Sequence, residues 1–327
     1  MIDFLALVIK FSTIFLFGAT GEIINQKSGH LNMGTPGIVF FGGLGGIIGE
    51  RIYIMAVPAT AALNPFMVIF MPIIFAILFG AIGGFIFSFF TVTLHCNQNV
   101  TGLTLTTLLV GISCFFMDPK IIPNDRMSEV GGMVQSAFTG YGKLGWFGQI
   151  FLSQSWFTYL GIVIAVAAAI IIAKTKVGLN LRAVGENAAA ADSAGINVNA
   201  YRYVATIIGG AIAAIGGAFY ELDQAKGLWS SAVAIDEFGW LALCIVIFAM
   251  WKPIIAIFAS FGFAALKVLP TYLSAAGYLK GMGYMVFVFQ LLPYIATLVV
   301  LVITSIINSK RAQPPANLGQ TYFREDR

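Results

Sequence analysis

The run Phe66–Phe90 carries no charged side chain. As a helix rising about 1.5 Å per residue it is long enough to cross roughly 30 Å of hydrocarbon. Comparable runs recur at Asp3–Ala19, Ile38–Met55, Leu103–Met117, Ser155–Ala173, Tyr203–Tyr220, Phe238–Met250, Pro253–Leu269 and Met285–Ile307. Barrel strands would alternate apolar and polar residues, and these runs do not. Composition agrees: charged residues make up 10% of the 327 and mean hydropathy is +0.90, outside the range of ordinary soluble domains. The expected fold class is all-α, a polytopic helical membrane protein of about nine transmembrane helices, with residues 1–307 as a single domain.

Charge orients these spans. Lys174, Lys176, Arg182 and Arg202 occupy the one long polar interruption, and Lys310 with Arg311 follow the last span. Cytoplasmic loops carry the excess of Lys and Arg, so both stretches belong on the cytoplasmic side. Four spans separate them, the two assignments agree, and counting back puts the N-terminus outside. Trp156, Trp229, Trp240 and Trp251 fall near expected span ends, as interfacial tryptophans do. The loop Asp118–Ser153 has room for a short dipping helix. Residues 308–327 are polar, carry Pro314-Pro315, and are expected to form a disordered cytoplasmic tail. Met1 leads into an apolar span with no small-residue cleavage site, so the first helix is expected to stay uncleaved.

The polar interruption, residues 174–202, has an unusual composition for a linker. Asn187 is a good helix N-cap, Ala188 to Ala191 are strong helix formers, and Gly195 accepts the left-handed turn that ends a helix. A helix of about two turns is predicted, lying at the membrane surface. Asp192 falls in its last turn, where the negative end of the helix dipole disfavours a carboxylate; a basic residue on a partner would account for it. The plainer reading of the same stretch is a solvated cytoplasmic loop.

The run Gly178-Leu179-Asn180-Leu181-Arg182-Ala183-Val184-Gly185-Glu186-Asn187, followed by Ala190-Ala191 and Gly195-Ile196, resembles the coupling loop of ABC importer permeases, in particular the nucleoside and simple-sugar (branched-chain amino acid/ribose-type) permease family. The resemblance implies an ABC importer permease fold in which the loop helix docks on a separate cytoplasmic ATPase, with Arg182, Glu186, Asn187, Asp192 and Gly195 as the coupling residues. It further implies ATP and Mg on ATPase partners and none on this chain, an extracytoplasmic solute-binding lipoprotein, a second permease subunit, and a multi-pass place in a bacterial plasma membrane. The chain's shortness before its first signature points to a longer sister as that second subunit.

Two more stretches carry the resemblance. Gly29-His30-Leu31-Asn32-Met33-Gly34-Thr35-Pro36-Gly37 is similar to a family signature, Gly…Asn-x-Gly-x-Glu-Gly, but Pro36 stands where the glutamate is usual. Non-helical backbone at membrane depth is tolerated where it is buried or lines a cavity, so Asn32 and Thr35 are candidates for the substrate pathway; a plain polar loop is the alternative. Asn97, Gln98 and Asn99 offer amides that donate and accept without charge, suited to a neutral nucleoside. A helix-capping turn explains them equally well. Spans without a charged group placed for a charged solute also favour a neutral cargo, and the resemblance implies which: a purine nucleoside first and a simple sugar second.

Other chemistries find little support. Gly140-Tyr141-Gly142-Lys143-Leu144-Gly145 matches GxGxxG but follows no strand, and no GxxxxGK[ST] occurs, so the chain does not bind ATP through a P-loop. His30 and His95 lie in different loops without metal-ligand spacing, and Cys96, Cys114 and Cys244 form no CxxC pair. No basic cluster with interleaved aromatics suggests nucleic acid. No carboxylate pair is recognised within a span, which counts against a standalone ion-coupled transporter. Glu221, Asp223, Asp236 and Glu237 read as an outer cluster that is simply solvated, the alternative being that it meets basic residues of a docked solute-binding protein. An intramembrane enzyme would need a catalytic constellation that is missing.

Overall fold

In the computed structural model, residues 1–58, 60–116, 126–136, 138–227, 232–277, 283–307 and 313–323 are described, and among them there are helices and no strand. In chain order the helices are α1 (Ile2–Lys27), α2 (Thr35–Ala56), α3 (Pro65–Ser88), α4 (Gln98–Phe116), α5 (Met127–Ser136), the single turn α6 (Gly145–Phe147), α7 (Trp156–Lys174), α8 (Lys176–Glu186), α9 (Ala188–Ser193), α10 (Val198–Phe219), α11 (Ala232–Phe248), α12 (Pro253–Ala275), α13 (Gly283–Gln290) and α14 (Leu292–Ile307). Seven of these, α1, α2, α3, α4, α7, α10 and α12, are long and apolar enough to cross a membrane. The molecule is an all-helical, multi-pass membrane protein. The expected spans Phe238–Met250 and Met285–Ile307 are represented by shorter apolar helices, Glu237–Phe248 and Phe287–Val302. The 17 residues of α11 reach about 25 Å, short of a full hydrocarbon core. The final span breaks at Leu291, just before Pro293, which has no N–H to carry the helical ladder through.

Helix α10 is the hub, packing on α1, α2 and α3. Its small residues let those backbones come close. A Cβ on Gly209 would strike the carbonyl of Gly21 on α1, and one on Gly217 would strike the Val39 carbonyl on α2. From the other side, Gly42 and Gly46 lie on Ala214 and Ala218, and Gly80 and Gly84 lie on the backbone of Gly210 and Thr206. Gly45 and Gly49 abut Phe79 and Phe75 of α3. These pairs of small residues four apart, Gly42/Gly46, Gly45/Gly49 and Gly80/Gly84, are therefore helix contacts, the means by which helices associate where lipid offers no hydrophobic drive.

The bundle has two distinct ends. At one, Lys10 Nζ lies 3.2 Å from Asp223 Oδ2 and the Met1 amino group donates to Tyr272 Oη at 3.4 Å. Helix α5 closes this end, with Met127, Val130 and Val134 buried and Gln135 Nε2 donating to the Asp223 carbonyl. At the other end gather Lys27, residues 28–34, α8, α9, Trp251 and the segment 313–323.

Several expectations need correction. Glu221 and Asp223 are not solvated; they are buried because α10 runs on as a π-helical turn, Tyr220–Gln224, that α5 covers. Glu237 pairs with Lys267, and the side chain of Asp236 lies outside the described residues. Two carboxylates do lie within spans, Glu22 on α1 and Glu50 on α2, both buried. Arg202 is also buried, inside α10, instead of marking a solvated loop. Trp251 is covered by protein, its indole N–H satisfied by Gln26, whereas Trp229 lies outside the described residues.

Candidate functional site

The polar loop folds as its sequence dictates. Asn187 ends α8 and caps α9, its Oδ1 accepting from Ala190 N at 2.9 Å. Gly195 takes φ +83°, the left-handed turn that stops the helix. Ala188 and Ala191 are buried with Val184 and Val198, so one face of α9 is fixed to the bundle. The opposite face, with Ala190 and Ser193, is exposed, as are Arg182, Glu186, Asn187 and Gly195 around it.

Where a disordered tail is expected, residues 313–323 form a strap across this loop. Backbone N–H groups of Asn317 and Gly319 donate to the carbonyls of Gly185 (2.9 Å) and Gly29 (3.0 Å), and Ala316 N donates to Glu186 Oε2 at 3.3 Å. Tyr322 packs on the Val184–Ala188–Ala191 cluster and donates from its hydroxyl to Asp192 Oδ2 at 2.7 Å. The Phe323 ring lies 4.6 Å from that of His95. Within this chain the unfavourably placed Asp192 thus accepts from a tyrosine. Leu318, Tyr322 and Phe323 were the available signal: three apolar or aromatic residues in an otherwise polar tail. Residues 308–312 and 324–327 lie outside the described residues.

Beneath the loop lies a buried polar network. The Glu22 carboxylate accepts from Gln26 Nε2 (2.9 Å), Asn25 Nδ2 (3.2 Å), Thr35 Oγ1 (2.8 Å) and Asn32 N (3.3 Å). Gln26 Oε1 accepts from Trp251 Nε1 at 2.6 Å, and Asn25 Oδ1 accepts from Thr206 Oγ1 at 2.7 Å. With its proton committed to Asn25, the Thr206 hydroxyl is an acceptor toward His30 Nδ1, 3.2 Å away, which fixes His30 as the Nδ1–H tautomer. Burial, and then the charge of Arg202, hold the His30 imidazole well below its ordinary value of 6.5, so it is neutral. Asn32 and Thr35 accordingly serve this network: Asn32 Oδ1 caps Gly34 N at 2.8 Å and Thr35 closes the cage around Glu22. Five segments, α1, the 28–34 turn, the start of α2, α10 and the α11–α12 turn, are joined through it.

The three amides at the start of α4 do not converge. Asn97 is the cap, accepting from Asn99 N (3.0 Å) and Val100 N (3.2 Å), and Asn99 is exposed. Gln98 is buried and stitches the ends together, accepting from Leu31 N at 2.8 Å and donating to the Gln320 carbonyl at 3.3 Å.

A family model described as branched-chain amino acid transport system / permease component matches residues 4–307. The nucleoside ABC transporter permease protein NupC of Lactococcus lactis subsp. cremoris is 28% identical over 297 residues, 89% of this chain and 88% of its own length. A protein provisionally named a glucose ABC transporter permease, TsgC13 of Haloferax volcanii, is 28% identical over 249 residues, 75% of this chain and 70% of its own. The guanosine ABC transporter permease protein NupQ of Bacillus subtilis is 26% identical over 339 residues, covering 100% of this chain and 99% of its own. No solved structure matches the chain.

Proposed function

Since the chain belongs to the permease-component family of branched-chain amino acid transport systems, and is thereby a transport subunit and not itself an enzyme, we propose that it forms the membrane path of an ATP-driven nucleoside importer, purine nucleosides first. End-to-end similarity to a guanosine permease carries this reading. ATP and Mg are held by separate cytoplasmic ATPase subunits, an extracytoplasmic binding lipoprotein delivers the solute, and a second permease, a longer related chain, completes the channel. The N-terminus is outside and the 174–202 loop cytoplasmic.

In this reading the ATPase presses on the exposed face of α9. That helix cannot move alone, because Ala188 and Ala191 are packed on Val184 and Val198 at the start of α10. A displacement would pass along α10 to Thr206, and from there through Asn25, Glu22 and Gln26 to Trp251 at the head of α12. Directional hydrogen bonds of this kind move as a unit or break at a cost of about 1–3 kcal/mol each when buried.

Uptake of labelled guanosine, adenosine and ribose by cells with and without the gene tests the cargo. Guanosine and adenosine uptake should be lost and ribose uptake unchanged; the reverse result would make this a sugar permease. Ala190→Pro and Asp192→Lys should reach the membrane at normal levels yet lose both uptake and copurification with the ATPase. Normal values for both variants would remove α9 from the coupling role.

A further inference from the structure

A cleft of about 610 Å³ opens at the loop end between the ends of α1, α7 and α12. Four cations line it from four separate segments: Lys27 ends α1, Lys174 ends α7, Arg182 is on α8, and Lys252 precedes α12. Lys174, Arg182 and Lys252 are exposed and Lys27 is half-buried. None of the four makes an ion pair among the described residues. Lys27 lies within electrostatic reach of Arg182, Lys252 and one acid, Glu186. Holding so many like charges around one cavity is unfavourable unless an anion occupies it.

The walls define the anion. Below the cations the lining is apolar, with Ile170 on α7 and Ile254 on α12, 51% and 44% exposed. Both lie on the bundle side of the cations along their helices, Ile170 one turn before Lys174 and Ile254 two residues after Lys252, so the apolar wall begins where the basic rim at the span ends stops. A free phosphate would use the rim and leave the wall bare. An acidic side chain of a docked protein would not reach the wall. A molecule with a negative head and an apolar chain fills both parts.

We propose that this cleft binds an anionic phospholipid, its phosphate among Lys27, Lys174, Arg182 and Lys252 and one acyl chain along Ile170 and Ile254. Basic pockets between spans on the cytoplasmic side suit such head groups. The site shares Lys174 and Arg182 with the 174–202 loop, only Arg182 of these being a coupling residue, and stands whether or not the nucleoside reading does.

The test uses the full-length chain, extracted and delipidated in detergent, then offered phosphatidylglycerol, phosphatidylcholine with the same acyl chains, or inorganic phosphate. Native mass spectrometry reads lipid retention, and thermal unfolding reads stabilisation. Phosphatidylglycerol should be retained and raise the unfolding temperature; phosphatidylcholine and phosphate should do neither. Lys174→Gln with Lys252→Gln should weaken phosphatidylglycerol retention roughly 25-fold, at about fivefold per cation. The paired Lys→Arg variant, which keeps the charge, should retain it. The proposal is overturned if both lipids are retained equally, if the Gln variant keeps its preference, or if phosphate reproduces the stabilisation. No ATPase or transported solute enters the assay, so its failure would leave the coupling reading untouched.

Discussion

His30 sits fully buried with Nε2 unpartnered, its ring edge on Phe87 and its Nδ1–H on Thr206. Because burial holds it neutral in the folded protein, its folded value lies below its unfolded one, near 6.5. Above that pH both states are neutral and the group adds no pH dependence. As pH falls through 6.5 the unfolded chain takes up a proton that the folded chain refuses, so stability is lost, at a limiting slope of about 1.4 kcal/mol per pH unit. Thermal unfolding followed from pH 7.5 down to 5 should therefore show a falling midpoint in wild type and a shallower fall in His30→Gln; parallel curves would mean that His30 is protonated when folded. Tyr322 makes the other residue-scale prediction. Tyr322→Phe removes one hydroxyl and keeps the ring on Ala188 and Ala191. Losing a hydrogen bond to a charged group costs about 1.5–3 kcal/mol, discounted here because the pair is only partly buried. Uptake should fall several-fold with membrane levels unchanged, and a chain truncated after residue 312 should lose more. Uptake equal to wild type in the truncated chain would make the strap irrelevant to coupling.

Among the elements, glycine positions separate two roles that composition cannot. Gly80 on α3 faces the Ala214 side chain and Gly210 backbone of α10, whereas a Cβ on Gly111 in α4 would meet nothing within 4 Å. Gly80→Val should push α3 off the hub and destabilise by upwards of about 3 kcal/mol, as overpacking against backbone does. Gly111→Ala should be neutral or gain up to about 1 kcal/mol from helix propensity. Midpoints of the two variants in detergent would decide it, and equal midpoints would contradict the packing. The Asn187 cap and the Gly195 stop were legible in the sequence, because each depends on residues within a turn or two. The network under the loop was not. Gly21, Glu22, Asn25 and Gln26 look like the end of a span, so α1 is expected to stop at Ala19; it continues to Lys27 because those polar groups satisfy one another and partners far along the chain. Trp251 meets Gln26 across 225 residues, and Tyr322 meets Asp192 across 130. Such pairs leave no local period or cap to read. The π-helical turn that buries Glu221 and Asp223 is equally silent, since acidic residues after an apolar run read as a loop.

At the scale of the whole molecule, contacts fix which segments share an end, and charge then chooses the side. Met1 with Tyr272 and Lys10 with Asp223 belong to one end; Gly29 with Gly319, Gln26 with Trp251 and Asp192 with Tyr322 belong to the other. The second end holds Lys174, Lys176, Arg182 and Lys252, with Lys27 beside them. The first holds Lys10, Arg126 and Lys267, each paired with an acid (Asp223, Glu129 and Glu237), together with Lys226. Under the positive-inside rule, the proposed orientation has the loop end in the cytoplasm and Met1 outside. Single cysteines at Lys226 and Ser193, each in a chain with Cys96, Cys114 and Cys244 replaced, report the two ends. Ser193 is exposed on α9, and Lys226 lies in the turn that follows α10. A membrane-impermeant maleimide applied to intact cells should modify Lys226→Cys and spare Ser193→Cys until the membrane is opened. The opposite pattern would invert the protein, and with it the side on which an ATPase could reach α9. Modification of both from outside would mean that the two ends are not separated by the bilayer, and the span assignment of α10, the helix between them, would fall.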